Sequence, residues 1–278
     1  MDDSGTPQWR GFVDHLTVSE RSDGTFEGWC LPGRGTRPYG GHILAQTLQL
    51  VVQKSARGMT PMSLHAHFMA AGDTRELVEY QLTSMRMGRS FEHWAVDVRQ
   101  KGRPLVSATV VLHHPEPSPE HQVKPRRTGG PEGLPVITDF PRPGTVVALR
   151  AGLEIRAGRA WVTGDPADVP YQDRWYRCVE PVPPGWEDVV LAWCTDLEST
   201  WTVDLPYLDG VRSRRAASLD HNMHFHRPFD PNQWWLYEQE SPDLSRGRGL
   251  ATGRIFSVDG ALIATVTQQT LLRLEFEA

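Results

Sequence analysis

The chain has 278 residues, 39% of them hydrophobic and 23% charged, and carries a formal net charge of −5. That balance describes a globular protein and supplies no net positive field for holding nucleic acid, so no nucleic-acid partner is expected. The length is enough for two domains of ordinary size, each with a core of its own.

In chain order, Tyr39-Gly40-Gly41 opens a helix in which Ile43, Leu44, Leu48, Val51 and Val52 recur at helical spacing, ending near Ala56-Arg57-Gly58. Runs of strand length follow at Met62 to Ala70, Leu77 to Met85, Ser90 to Gln100 and Leu105 to His113. The turn signals between them, Ala71-Gly72-Asp73, Met87-Gly88-Arg89 and Lys101-Gly102-Arg103, predict antiparallel pairing. From His113 to Pro143 eight prolines and the basic cluster Lys124-Pro125-Arg126-Arg127 interrupt any apolar period, which reads as a linker.

Beyond it, Pro183-Pro184-Gly185 precedes a second helix over Trp186 to Thr200, with Val189, Val190, Trp193 and Leu197 as its apolar stripe. Strands then fit Arg215 to His226, Trp234 to Gln239, Gly249 to Val258 and Leu262 to Leu272. Each half therefore sets one long helix against an antiparallel sheet, an α+β layer arrangement.

The halves also repeat each other in sequence. Ser63-Leu64-His65-Ala66-His67-Phe68, Met87-Gly88-Arg89-Ser90 and Gly102 to Val110 are followed in the same order by Ser218 to Phe225, Arg246-Gly247-Arg248-Gly249 and Gly260 to Val266. The offset between Phe68 and Phe225 is 157 residues. Two copies make a fused pair packed as a pseudo-dimer, not a solenoid. The expected division is a first repeat over 1–113, a linker over 114–143 and a second repeat over 144–278.

Three cysteines, Cys30, Cys178 and Cys194, form no CxxC pair and suggest neither a disulfide scaffold nor a cysteine zinc knuckle. No run approaches the roughly twenty apolar residues that span a bilayer, and the start Met1 to Pro7 is acidic and polar, so no stable membrane association is expected. The ending Phe276-Glu277-Ala278 differs from the common peroxisomal tripeptide, leaving the cytoplasm as the expected location.

Tyr39-Gly40-Gly41-His42-Ile43-Leu44-Ala45-Gln46, the Arg89-Ser90-Phe91 turn and above all Ser218-Leu219-Asp220-His221-Asn222-Met223-His224-Phe225-His226-Arg227-Pro228-Phe229 resemble the acyl-CoA thioesterase II family. Tyr237 to Pro242, Gly247-Arg248-Gly249 and Ala264 to Gln269 continue the likeness, which spans nearly all but the linker and termini. The resemblance implies a double hotdog fold, each half wrapping a curved antiparallel sheet around a long helix. It also implies hydrolysis of acyl-CoA, a role in lipid metabolism, no cofactor, and catalytic residues Asp196, Ser218 and Gln268. The family's threonine is Ser218 here, its Gln-Glu pair is Gln268-Gln269, and its tryptophan is His224.

Read on their own, these residues fit only in part. Asp196 lies seven residues after Val189 and three after Trp193, on or beside the inward stripe, where a carboxylate needs partners. An Asp solvated at the edge of the stripe satisfies the same spacing. The first helix contains Gln46, Gln49 and Gln53 but no carboxylate, so a carboxylate-dependent site should occur once per chain. Gln268 alternates with Leu262, Ala264 and Val266, which places an amide among apolar neighbours, where it either holds a water or bonds to backbone, but Ile263 and Leu271 on the other face leave open which face is inward. Ser218 shares parity with Asp220, Asn222, His224 and His226, a face that reads as solvent-exposed.

The mechanism that the resemblance implies is direct attack by a water that Asp196, Ser218 and Gln268 orient, with Asp196 as the general base or the group that sustains it. Gly40 and Gly41 at a helix start are candidate oxyanion donors, although helix-entry geometry explains them equally well. Arg89 and Arg248, with Arg86 and Arg246, lie at turns and are candidates for the phosphates of CoA; solvated turn charges are the plainer explanation. His65 with His67 and His224 with His226 share strand faces but have no third ligand at a recognisable spacing, so no metal is assigned. No Gly-x-Ser-x-Gly elbow, Walker loop or dinucleotide fingerprint occurs. An enoyl-CoA hydratase or dehydratase on the same scaffold, and a non-catalytic acyl-CoA binding protein, are the competing readings. Association of such units into a homo-oligomer is a further expectation.

Overall fold

The computed structural model describes residues 13, 15–31, 36–127, 129–137, 152–161, 169–207 and 211–276. The segment Met1 to Pro7 and the end of the expected linker, 138–143, lie outside them.

The first half contributes β1 (Ser19–Glu20), β2 (Phe26–Gly28), β3 (Thr60–Phe68), β4 (Val78–Met87), β5 (Phe91–Gln100) and β6 (Arg103–His113). The second contributes β7 (Leu153–Trp161), β8 (Tyr171–Cys178), β9 (Val211–Ser218), β10 (Asp220–Phe225), β11 (Trp235–Ser245), β12 (Arg248–Ser257) and β13 (Leu262–Phe276). Among the described residues they form one antiparallel sheet in the order β1-β2-β4-β5-β6-β3-β10-β13-β12-β11-β8-β7, with β9 also paired to β13. The two halves meet at the β3–β10 pair, where Leu64 faces Met223 and Ala66 faces His221.

Three helices pack against this sheet around the site: α1 (Gly40–Lys54), α2 (Glu187–Thr195) and α3 (Ser199–Asp204). Inward strand residues such as Leu64, Val96, Val110, Met223, Ile255 and Val266 join Leu44 and Leu48 of α1 and Val190 and Trp193 of α2 in one core. Each such side chain taken fully out of water contributes about 1.5–3 kcal/mol before entropy is counted. The helices touch closely because α1 begins with glycines. A Cβ on Gly41 would sit 2.4 Å from the Trp193 carbonyl oxygen, which itself accepts a 3.0 Å hydrogen bond from the Tyr39 hydroxyl. Helix α1 is buried from Gly41 through Val51, so its polar Gln46 must be satisfied internally. The Gln46 amide donates to the Trp29 and His15 carbonyls and accepts from the Tyr80 hydroxyl.

Sequence periodicity located α1, β3 to β6 and β11 to β13 but not β7 and β8. Strand β8 does not alternate, because Gln172, Asp173, Arg174, Trp175 and Tyr176 are all buried. One face of β8 meets α3, where Gln172 donates to the Thr202 hydroxyl at 2.7 Å. The other is covered by the linker, whose Arg127 pairs with Asp173 at 2.9 Å and whose Leu134 packs on the cluster around Trp175 and Phe256. The described part of the linker is thus fastened down. Its Arg127 N–H donates to Glu238, Arg126 pairs with Glu240, and Gln122 bridges the β12–β13 turn.

Two corrections bear on the site. The expected single helix over Trp186 to Thr200 is broken: α2 ends at Thr195 and α3 starts at Ser199. The expected single strand over Arg215 to His226 is two, β9 and β10, joined at Leu219. No helix among the described residues is long and apolar enough to cross a membrane.

Candidate active site

The break between α2 and α3 puts Asp196 at the C-cap of α2 instead of on a continuous inward stripe. Two residues on, Glu198 adopts φ 62°, a left-handed conformation that costs a residue with a Cβ about 1–2 kcal/mol. Side chains from β8 and β11 hold the break. The Tyr237 hydroxyl donates to the Thr195 carbonyl at 2.8 Å, the Gln239 amide to the Leu197 carbonyl at 2.8 Å, and Arg174 pairs with Glu198 at 3.4 Å. Carbonyls that a continuous helix would satisfy are satisfied here by the sheet.

So placed, the Asp196 carboxylate faces the start of α1. Its Oδ2 accepts the Gly41 N–H at 2.9 Å. Gly40 lies against the same oxygen, since a Cβ there would come within 2.8 Å of it. Burial pushes the Asp196 carboxyl up to about 6; hydrogen bonds from Gly41, Gln268 and Ser218 pull in the other direction. The positive end of the α1 dipole favours the ionised form further.

Ser218 reaches Asp196 because of a register slip. Ser218 lies opposite Thr270, whereas Asn222 lies opposite Thr267, so one extra residue is accommodated near Leu219. A one-residue shift reverses the facing of every side chain beyond it. Ser218 therefore turns inward with His221 and Met223 and does not share the outer face of Asp220, Asn222 and His224, correcting the parity expected from an unbroken strand. Asp220 closes the irregularity by accepting the Gln269 N–H at 2.8 Å.

Gln268 on β13 donates to the Ser218 hydroxyl at 2.9 Å and is fully buried. Its carbonyl oxygen lies 2.6 Å from His221 Nδ1, and His221 Nε2 lies 2.9 Å from the Thr195 hydroxyl. A chain of contacts thus runs Asp196, Ser218, Gln268, His221, Thr195, and returns to the residue before Asp196. Sequence reasoning overlooked the last two members. The signal available was a histidine at an inward position two residues before Met223 on a strand that pairs with that of Gln268.

A cavity of about 580 Å³ opens over this cluster, with Gly40, Asp196 and Ser218 on its wall beside Phe68, Val106 and Trp201. Gln268 is not on the wall; it lies behind Ser218. The other candidates separate. Gly41 has its N–H directed at Asp196, whereas Gly40 faces the cavity. Arg89 and Arg248 are exposed and off the cavity wall, where the arginines are instead Arg37 and Arg214. Arg214 pairs with Asp204 and stacks 4.2 Å over the Trp201 ring. Of the tryptophans, Trp201 lines the cavity, while Trp175, Trp193 and Trp235 are buried in the core. His65 and His224 meet ring to ring at 5.2 Å, and no group of three or more metal-ligating side chains is assembled among the described residues.

The chain has a hotdog fold. It aligns with an acyl-CoA thioesterase II, TesB2, from Mycobacterium marinum at 26% identity and a TM-score of 0.81, covering 94% of this chain and 98% of the other. A protein with a hot dog fold from Alicyclobacillus acidocaldarius, 21% identical, aligns at a TM-score of 0.77 over 94% of this chain and 97% of the other. Residues 27–113 match the acyl-CoA thioesterase N-terminal domain and residues 155–271 the acyl-CoA thioesterase family. In sequence the chain is 30% identical to acyl-CoA thioesterase 2 of Haemophilus influenzae over 249 residues, 84% of this chain and 87% of that one. It is 31% identical to acyl-coenzyme A thioesterase 8 of Mus musculus, over 86% of this chain and 81% of that one. The chain belongs to the acyl-CoA thioesterase family, hydrolases of thioesters.

Proposed function

We propose that the chain hydrolyses acyl-CoA by direct attack of a water held at Asp196 and Ser218, with Gln268 orienting both from behind. Asp196, its carboxyl pushed up to about 6, is ionised at neutral pH yet basic enough to take a proton, the compromise that a general base needs. The water oxygen attacks the thioester carbon while Asp196 accepts the water proton. The tetrahedral intermediate then collapses, the C–S bond breaks, and the proton passes to the departing sulfur, giving carboxylic acid and CoA. Gly40, at the start of α1 on the cavity wall, is the candidate donor to the oxyanion, since the Gly41 N–H is engaged by Asp196.

The observation that carries this reading is the convergence of Asp196, Ser218 and Gln268 from three separate elements beneath one cavity. The cavity wall carries no histidine among the described residues, which disfavours the Asp-His chemistry of a hydratase. The test is free-thiol release from short, long and aromatic acyl-CoAs by the parent and by Asp196→Asn. Turnover lost in the variant supports the assignment; equal turnover in both overturns it.

The same reading takes the chain as two fused hotdog repeats, divided as 1–113 and 144–278. The pairing at β3–β10 supports it. Adding the 157-residue repeat offset to Leu64 and Ala66 gives His221 and Met223, yet Leu64 pairs with Met223 and Ala66 with His221. That exchange is the pattern of an isologous two-fold interface. The corresponding helix of the first repeat, α1, carries no carboxylate, so one site per chain is expected. A cytoplasmic location and a role in lipid metabolism belong to the same proposal.

A further inference from the structure

We propose that His221, braced by Thr195, is a positioning residue that fixes the Gln268 amide so that both of its N–H groups face Ser218 and Asp196. The inference rests on the hydrolase reading and concerns residues that no substrate touches.

A glutamine amide can bind either way round, and its two ends have opposite hydrogen-bonding character. An ionised Asp196 only accepts, so the Gln268 nitrogen must lie on its side. The amide oxygen then faces His221, as the 2.6 Å contact to Nδ1 records, and Nδ1 must carry the proton. Burial holds the His221 ring well down, at about 4, so it is neutral and has only that one N–H. Its Nε2 is consequently an acceptor. The donor within reach is the Thr195 hydroxyl at 2.9 Å, which must turn away from the Ala192 carbonyl, also 2.9 Å away, to serve it.

Thr195, His221 and Gln268 are all fully buried, so no solvent water competes for these bonds. With the opposite tautomer, His221 Nδ1 would be an acceptor and would draw the amide nitrogen toward itself. The amide oxygen would then confront the Asp196 carboxylate and repel it. The sheet register keeps the two residues together, since His221 lies between Ala66 on β3 and the start of the β13 pairing that holds Gln268.

The experiment combines isosteres, a double-mutant cycle and a direct measurement of the tautomer. An asparagine amide places its nitrogen near the Nδ1 position, whereas a glutamine reaches toward Nε2. His221→Asn should therefore recover most of the turnover that His221→Leu and His221→Gln lose. The expected loss is about tenfold in kcat with KM nearly unchanged, the kinetic equivalent of one buried hydrogen bond. In a Gln268→Ala background His221→Leu should change kcat by less than about twofold, because the group it positions is gone. Nitrogen-15 NMR of the unmodified protein should give a neutral His221 protonated at Nδ1, a result that needs neither turnover nor a folded variant. A ring protonated at Nε2 would overturn the proposal, as would an equal kcat loss in both backgrounds or an Asn variant as impaired as the Leu variant. If the parent protein releases no thiol from any acyl-CoA, the hydrolase reading fails, while the tautomer measurement still decides the amide orientation.

Discussion

The Gly41 N–H and the Asp196 carboxylate, 155 positions apart in the chain, meet at 2.9 Å where the start of α1 crosses the end of α2. This contact joins the first half of the chain to the carboxylate proposed as the base in the second. It aims one oxygen of a carboxylate that also bonds to Ser218 and Gln268 and borders the cavity.

Asp196→Asn should lower kcat by about 10²–10⁴-fold, the range for loss of a general base, with the fold intact by circular dichroism. It should also raise the melting temperature at neutral pH. The native carboxyl titrates near 6, above its ordinary 3.8, so the folded state binds the proton more tightly than the unfolded chain. The associated stability is fully present below the ordinary carboxylate range and is lost as pH rises through about 6. The variant lacks that loss, so its advantage over the parent should grow from about pH 4 to pH 6 and then level off. An advantage independent of pH would contradict the burial of the charge.

The pH dependence of kcat/KM reports the same group in the free enzyme. With Asp196 as the proposed base, turnover requires the ionised carboxylate, so the rate should fall as pH drops through about 6. In the Asp196→Asn protein the residual activity should lack that limb. A limb near 4 would mean that burial does not raise the Asp196 carboxyl.

Ser218→Ala removes a hydroxyl that accepts from Gln268 and bonds to Asp196. The expected loss is about 10- to 100-fold in kcat, the kinetic equivalent of one hydrogen bond to a charged group. Ser218→Thr keeps the hydroxyl and should keep most of the activity. An alanine variant as active as the parent would remove Ser218 from the mechanism.

The two glycines should separate stability from catalysis. In Gly41→Ala the added methyl meets the Trp193 carbonyl at 2.4 Å and the Tyr39 ring at 2.6 Å, so the helices must part, at a cost of about 1–3 kcal/mol. In Gly40→Ala it meets Asp196 Oδ2 at 2.8 Å and the Phe68 ring at 3.2 Å, groups on the cavity wall. Denaturant titration beside steady-state kinetics should find the larger stability loss at position 41 and the larger kcat loss, relative to stability, at position 40.

Much was legible before folding. Periodicity found α1 and the strands from β3 to β6 and β11 to β13, because their apolar residues face one core and recur at the spacing that the backbone imposes. The motif running from Ser218 through Phe229 carried the family likeness, whereas the apolar residues on both faces of β13 left the facing of Gln268 open until the fold buried it. Strand β8 was invisible because both of its faces are covered, one by α3 and the other by Arg127 and Leu134 from the linker.

What tertiary structure alone decided lies closest to the chemistry. The helix stops at Asp196 because Tyr237 and Gln239 of β11 take the carbonyls of Thr195 and Leu197. Ser218 turns inward because β9 and β10 pair with β13 in registers one residue apart. Both follow from hydrogen bonds to partners distant in the chain, which local periodicity does not encode. The sequence determined which residues could serve the reaction; long-range pairing determined which way each of them points.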